Sequence, residues 1–136
     1  MPSRTDLVPG EGEIRYELHG RLHRLTVEAD PAISEYYRSL VPRHVRLNRQ
    51  KHPPHVSVVR EEMATPPAWG LHQGLKISFL YLPIVRTGET YFWLKVHDDR
   101  FSDLRVELGL PRTCWYTAPP DGSDCFHLTL GNLKSL

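Results

Sequence analysis

His55-Val56-Ser57-Val58 and His127-Leu128-Thr129-Leu130 follow one pattern: histidine, apolar residue, hydroxyl residue, apolar residue. Alternation with period two is the mark of a strand buried on one face. In each copy the imidazole and the hydroxyl therefore leave the same side, while valine or leucine fills the other. A single copy is the sort of coincidence that a chain of 136 residues produces by chance. Two copies in matching surroundings define a pair of strands able to set an acid, a base and two hydrogen-bond donors around one anionic group.

The surroundings do match. Before the first motif, Leu22 to Val27 (LHRLTV) reads as a strand, and Asp30-Pro31 opens a helix, with Asp as cap and Pro at the first helical position. Ala32 to Leu40 then carries Ile33, Tyr36, Tyr37 and Leu40 at helical spacing, and Pro42 stops it. Before the second motif, Thr90 to Val96 (TYFWLKV) reads as a strand. Asp98-Asp99 follows, then a helix from Arg100 to Leu108 with Phe101, Leu104 and Leu108 on one face, then Pro111. A shift of 69 residues lays Val27 on Val96, Asp30 on Asp99 and Pro42 on Pro111. It leaves three extra residues in the loop that contains Pro119-Pro120-Asp121-Gly122. Leu75 to Leu82 (LKISFLYL) is a further strand between the repeats, which span about 20–60 and 89–132.

The expected architecture is a single α+β domain over residues 1–136, with Met1 to Gly12 loose. Two pseudo-symmetric lobes with antiparallel sheets form a concave cleft, and the helices pack outside. Leu25, Val27, Val56, Val58, Leu94, Val96, Leu128 and Leu130 face the helices. The cleft face carries His55, Ser57, His127 and Thr129, with Tyr91, Trp93 and Lys95 beside them.

Composition narrows the class of function. The chain is 40% hydrophobic and 24% charged, with a formal net charge of +1, so no stable nucleic-acid partner is expected. No apolar run reaches the length of a membrane span, so no membrane partner is expected. The N-terminal MPSRTDLVPGEGE lacks the apolar stretch of a secretory signal. Two cysteines, Cys114 and Cys125, are too few for a disulfide framework, and a reduced, cytoplasmic protein is the expectation.

Beyond the four motif residues, the basic run Arg43, Arg46, Arg49, Lys51 precedes the first His strand and either draws an anionic substrate or forms a solvated loop. Arg49 and Lys51 join Tyr91, Trp93 and Lys95 as candidate substrate-binding residues. The two aromatics offer either a platform for a nucleobase or ordinary packing. Trp69, Trp115 and Tyr116 lie in loops near the motifs and are weaker candidates for the same task. His52, His55, Cys114, Cys125 and His127 can be drawn together on paper as a zinc site, yet their spacing matches no zinc pattern. No metal and no cofactor are expected.

Paired H-x-[S/T]-x strands in a duplicated α+β chain resemble the 2H phosphoesterase superfamily, and the resemblance runs from about Leu22 to the C-terminus. It implies a metal-independent phosphodiesterase acting on nucleotide or short oligonucleotide substrates. His55 and His127 would be the acid–base pair, and Ser57 and Thr129 the donors to the non-bridging phosphate oxygens. The compact chain resembles the phage members most. That implies a cyclic nucleotide of bacterial antiviral signalling as substrate, met in the host cytoplasm. RNA-processing 2′,3′-cyclic phosphodiesterases, 2′-5′ oligonucleotide hydrolases and a nucleotide-binding module without catalysis are the alternatives. Which histidine is the base is left open.

Overall fold

The computed structural model describes residues 6–19, 22–62, 69–123 and 125–134. Its elements are β1 (Val8–His19), β2 (Leu22–Ala29), α1 (Pro31–Ser39), β3 (His55–Glu62), β4 (Lys76–Tyr81), β5 (Arg86–Thr87), β6 (Tyr91–Val96), α2 (Asp99–Glu107) and β7 (Phe126–Asn132). The alternation does what it requires. All eight aliphatic residues assigned to the helix side are at most 1% exposed, whereas His55, Ser57, His127 and Thr129 stay half-buried on the opposite face.

The strands form one antiparallel sheet in the order β4-β1-β2-β3-β7-β6-β5, not a separate sheet for each lobe. Two strands outside the repeats join the halves. β1 runs along β2 on one side and β4 on the other, and β4 reaches β6 through Tyr81 and Val96. The segment expected to be loose is thus strand from Val8 onward, and Met1–Thr5 lies outside the described residues. Glycine makes this possible: a Cβ at Gly12 would stand 2.5 Å from Val27 Cγ1, and one at Gly10 2.8 Å from Ile33 Cδ1.

Both helices are nine residues long and capped by aspartate. Asp30 accepts from Ala32 N at 2.9 Å; in the second half the cap is Asp98, accepting from Arg100 N at 3.0 Å, rather than Asp99. Asp98 also accepts from Leu80 N on β4, which ties the helix start to the strand that joins the halves. The second half carries one more residue between strand and helix, so strands correspond at 67 residues and helices at 68. Because 67 and 69 differ by one strand period, every residue still falls on its expected face.

The halves interlock. α1 packs on β7 and α2 on β3, so each helix leans on the His strand of the other half. One arginine from each helix makes the contact. Arg38 Nη1 donates to Leu130 O at 2.8 Å, and Arg105 Nη1 donates to Val58 O at 2.9 Å. Each accepting carbonyl belongs to the third residue after the motif histidine, where the register slips. Thr26 pairs with Ser57 but Leu25 with Val59, and Trp93 pairs with Thr129 but Phe92 with Gly131. Each His strand therefore bulges at the same place, and the carbonyl released from the ladder is capped by an arginine. Gly131 leaves room for this, since a Cβ there would lie 2.7 Å from Arg38 Nη1.

Arg105 is wholly buried and fully occupied. It donates to Pro111 O at 2.7 Å and grips the Glu62 carboxylate with both terminal nitrogens, at 2.7 and 2.8 Å. Burial alone would push the Glu62 carboxyl up; the guanidinium and the Arg60 N–H, which donates to Oε2 at 3.1 Å, hold it below its ordinary value. The bulge, Glu62 and the backbone of Arg60 are thus one network anchored by a residue of the other half.

Candidate active site

β3 and β7 meet at the centre of the sheet, where Val56 pairs with Leu128. One step either way along this antiparallel pair sets His55 beside Thr129 and Ser57 beside His127. A pseudo-twofold axis through Val56 and Leu128 therefore exchanges the two motifs, and all four motif side chains line one cavity of about 610 Å³.

Each imidazole is oriented in the same way. His55 Nδ1 lies 2.8 Å from Pro53 O, and His127 Nδ1 lies 3.1 Å from Thr117 O. A carbonyl only accepts, so Nδ1 carries hydrogen in both rings, and Nε2 is the basic nitrogen of the neutral form. The second carbonyl comes from a buried threonine in the turn that starts at Cys114, where Thr117 N donates to Cys114 O. The Pro-Pro step before β3 supplies the first.

Burial pushes both rings below the ordinary value for histidine. The backbone carbonyls oppose it, but repulsion between like charges reinforces it: Arg24, Arg60 and the neighbouring His52 disfavour a proton on His55, and His55 and Arg60 disfavour one on His127, where Asp121 pushes the other way. His97, half-buried near Lys95, is lowered by burial and then by that cation. A depressed folded value means that the unfolded chain binds more protons below about pH 6.5, so these histidines stabilise the fold above that pH and cease to do so as pH falls through their folded values. The thermal midpoint is expected to drop between pH 7 and pH 5. In His97→Gln, which leaves the cavity untouched, the drop should be shallower by calorimetry; an identical slope would contradict this assignment.

The other expected residues divide. Tyr91 lines the cavity. Trp93 does not: it is 2% exposed, because β5 pairs with β6 at Phe92 and Trp93 and the turn at Gly88 lies against the indole. Lys95 is bonded to Asp121 at 3.1 Å and acts one layer away, holding the loop whose Ala118, Pro119, Pro120 and Gly122 line the cavity. Burial pushes the Asp121 carboxyl up, yet hydrogen bonds from Ser123 and the Lys95 ammonium hold it at about 2, so this tie persists across the working pH range. Arg49 is paired with Glu35 on α1, and exposed Lys51 does not line the cavity. Trp69 packs edge-on against Tyr16 and His23.

Several lining residues were not among the expected ones: Arg24 and Arg60 enter from β2 and β3, and Gln50 and His52 come from the basic run, while Trp115 and Tyr116, the weaker aromatic candidates, form the rim. Trp115 is 84% exposed and meets Tyr116 edge-to-face at 5.4 Å. Arg24 was legible in the alternation of β2, since it shares the face opposite Leu25 and Val27. Arg60 was not, because unbroken alternation from His55 points it into the core; the bulge at Val58 returns it to the cavity.

Among the described residues no acidic one lines the cavity, although the chain as a whole carries a net charge of only +1. The site suits an anion. Among the described residues no three of His, Cys, Asp and Glu gather where a metal ion could be held, and no helix is long and apolar enough to cross a membrane. Cys114 and Cys125 are not joined in a disulfide. Comparison with protein-family models, with curated proteins and with solved structures returns no match.

Proposed function

We propose that this protein is a 2H-type phosphodiesterase that cleaves a nucleotide phosphodiester by two-histidine acid–base catalysis without a metal ion. The observation that carries this reading is the matched pair of imidazoles. Each has Nδ1–H held by a backbone carbonyl and Nε2 as its remaining nitrogen, in a cavity lined by arginines and, among the described residues, by no carboxylate. One Nε2 accepts the proton of the attacking oxygen, from water or from a neighbouring ribose hydroxyl, as the new P–O bond forms. The other ring, protonated, donates Nε2–H to the departing oxygen as the old P–O bond breaks. One proton enters the pair and one leaves it.

The depressed proton affinities fit such a cycle. Two neutral rings wait in the free site, and an incoming phosphate supplies the negative charge that lets one of them hold a proton. Ser57 and Thr129, beside the opposite ring, are placed to donate to the non-bridging oxygens as these gain charge. The exposed Trp115–Tyr116 pair and Tyr91 on the rim offer aromatic faces to a nucleobase. A cyclic nucleotide or cyclic oligonucleotide of the kind used in antiviral signalling is the proposed substrate class, with cytoplasmic action.

The test is a panel of phosphodiesters (2′-5′ and 3′-5′ linear, cyclic di- and trinucleotide, 2′,3′-cyclic phosphate) incubated with excess EDTA. At least one member should be cut at the same rate with and without the chelator. Loss of cleavage on chelation would point to metal chemistry. Tight binding of one member with no cleavage of any would make the protein a nucleotide-binding module.

A further inference from the structure

Two arginines in the cavity have no task in the acid–base reaction. Along the β2–β3 pair, Glu28 faces His55, Thr26 faces Ser57 and Leu25 faces Val59. The register slips again, since His23 faces Glu62, and Arg24 and Arg60 both lie between that pair and the Leu25–Val59 pair, Arg24 two strand residues (about 7 Å) beyond the Thr26–Ser57 row. Both side chains line the cavity. Two like charges that share one cavity repel each other unless something offsets them. Carboxylates elsewhere on this sheet have partners: Glu28 is bonded to Arg15, and Glu62 to Arg105. Glu17 faces Arg24 from β1, yet among the described residues no acidic one lines the cavity and no carboxylate lies within salt-bridge range of either guanidinium. The fold also spends a bulge, and a wholly buried arginine to cap it, on the turn of backbone that returns Arg60 to this face.

We propose that Arg24 and Arg60 form a second anion subsite, one row along the sheet from the histidine pair, that holds a neighbouring phosphate of the same substrate. This rests on the phosphodiester reading of the histidine site and deepens it. Two guanidiniums side by side match the oxygens of one phosphate group. Their distance from the Ser57 row is of the order that separates adjacent phosphates in a nucleotide chain. The substrate class is therefore a nucleotide carrying at least two phosphates, cyclic dinucleotides and oligonucleotides among them, in preference to a mononucleotide with one.

Adenosine 3′-monophosphate and adenosine 3′,5′-bisphosphate test this, because neither contains a diester to cut. By calorimetric titration the wild-type chain should bind the bisphosphate at least about tenfold more tightly, the scale of one charge-assisted contact. Arg24→Gln and Arg60→Gln should each remove about that factor for the bisphosphate and change monophosphate binding by less than about twofold. Arg60→Lys, which keeps the charge and loses the fork, should fall between. Circular dichroism confirms that each variant is folded. Equal affinities in the wild-type chain, or equal weakening of both ligands in the glutamine variants, would overturn the subsite. Turnover on the phosphodiester panel is read separately. A bisphosphate preference lost in both glutamine variants with no cleavage leaves the subsite standing and removes the enzyme reading. Cleavage with no dependence on either arginine does the reverse.

Discussion

His55→Ala and His127→Ala should each lower kcat on the phosphodiester substrate by about 10²–10⁴-fold, the range supplied by a positioned general acid or base. At about 1.4 kcal/mol per factor of ten, that is roughly 3–5 kcal/mol of transition-state stabilisation for each ring. KM should move little, because the cations that draw the phosphate are untouched. The double variant should be hardly slower than the worse single one, since the two rings work on one transition state and their losses do not add. The pair also divides by role. A substrate with a good leaving group, such as a p-nitrophenyl phosphodiester, needs no general acid. The variant lacking the acid should recover most of its rate on that substrate, and the variant lacking the base should not. Recovery in both, or in neither, would show that the rings do not share the work in this way. Ser57→Ala and Thr129→Val should cost less than either histidine.

Arg105→Ala should be the most destabilising of the substitutions named, by about 3–5 kcal/mol in urea unfolding, because it strips a buried carboxylate of its partner. Glu62 would keep the Arg60 N–H and the Cys114 thiol but no cation, and Val58 O, already outside the ladder, would lose its cap. Arg38→Ala makes the equivalent cut in the other half, but Arg38 is only partly buried and bonded to carbonyls alone, so about 1–2 kcal/mol is expected. Replacing the pair together, Arg105→Met with Glu62→Leu, should recover most of the stability, as buried ion pairs exchanged for apolar residues often do. It should not recover bisphosphate binding, because the bulge that turns Arg60 into the cavity would have lost its anchor. If the double variant restored both, Arg105 would be a stabilising residue only and not a positioning one.

The two tetrapeptides carried most of what could be read in advance. Their alternation assigned the core and cavity faces of β3 and β7 correctly, and the aspartate caps and proline stops placed both helices to within a residue or so. The repeat was read two residues out of step in the strands, an error that left every face unchanged because a strand has period two. What failed was what alternation cannot encode. A bulge inserts one residue without any mark in the sequence, so unbroken alternation from His55 would put Arg60 on the core side. Trp93 has the parity of a cavity residue, but two residues of β5 and a glycine turn cover it, and such coverage is a tertiary fact. Val8 to Gly12, rich in Pro and Gly, reads as part of a loose tail until the two strands beside β1 are in place. One signal was present and unused. Arg38 and Arg105 stand 67 residues apart, the same offset as the strands, and they are the residues that lock each half onto the other.

The central claim is that His55 and His127 divide one proton transfer between them, and the pH dependence of kcat/KM examines it most directly, since that ratio reports the essential acid and base of the free enzyme. Both rings are depressed below the ordinary histidine value. The account therefore predicts a bell with both limbs on the acid side of about pH 6.5, unchanged by EDTA, of which His55→Ala and His127→Ala each abolish one limb in their residual activity. A profile that is flat across this range, or a bell that survives intact in both variants, would contradict it.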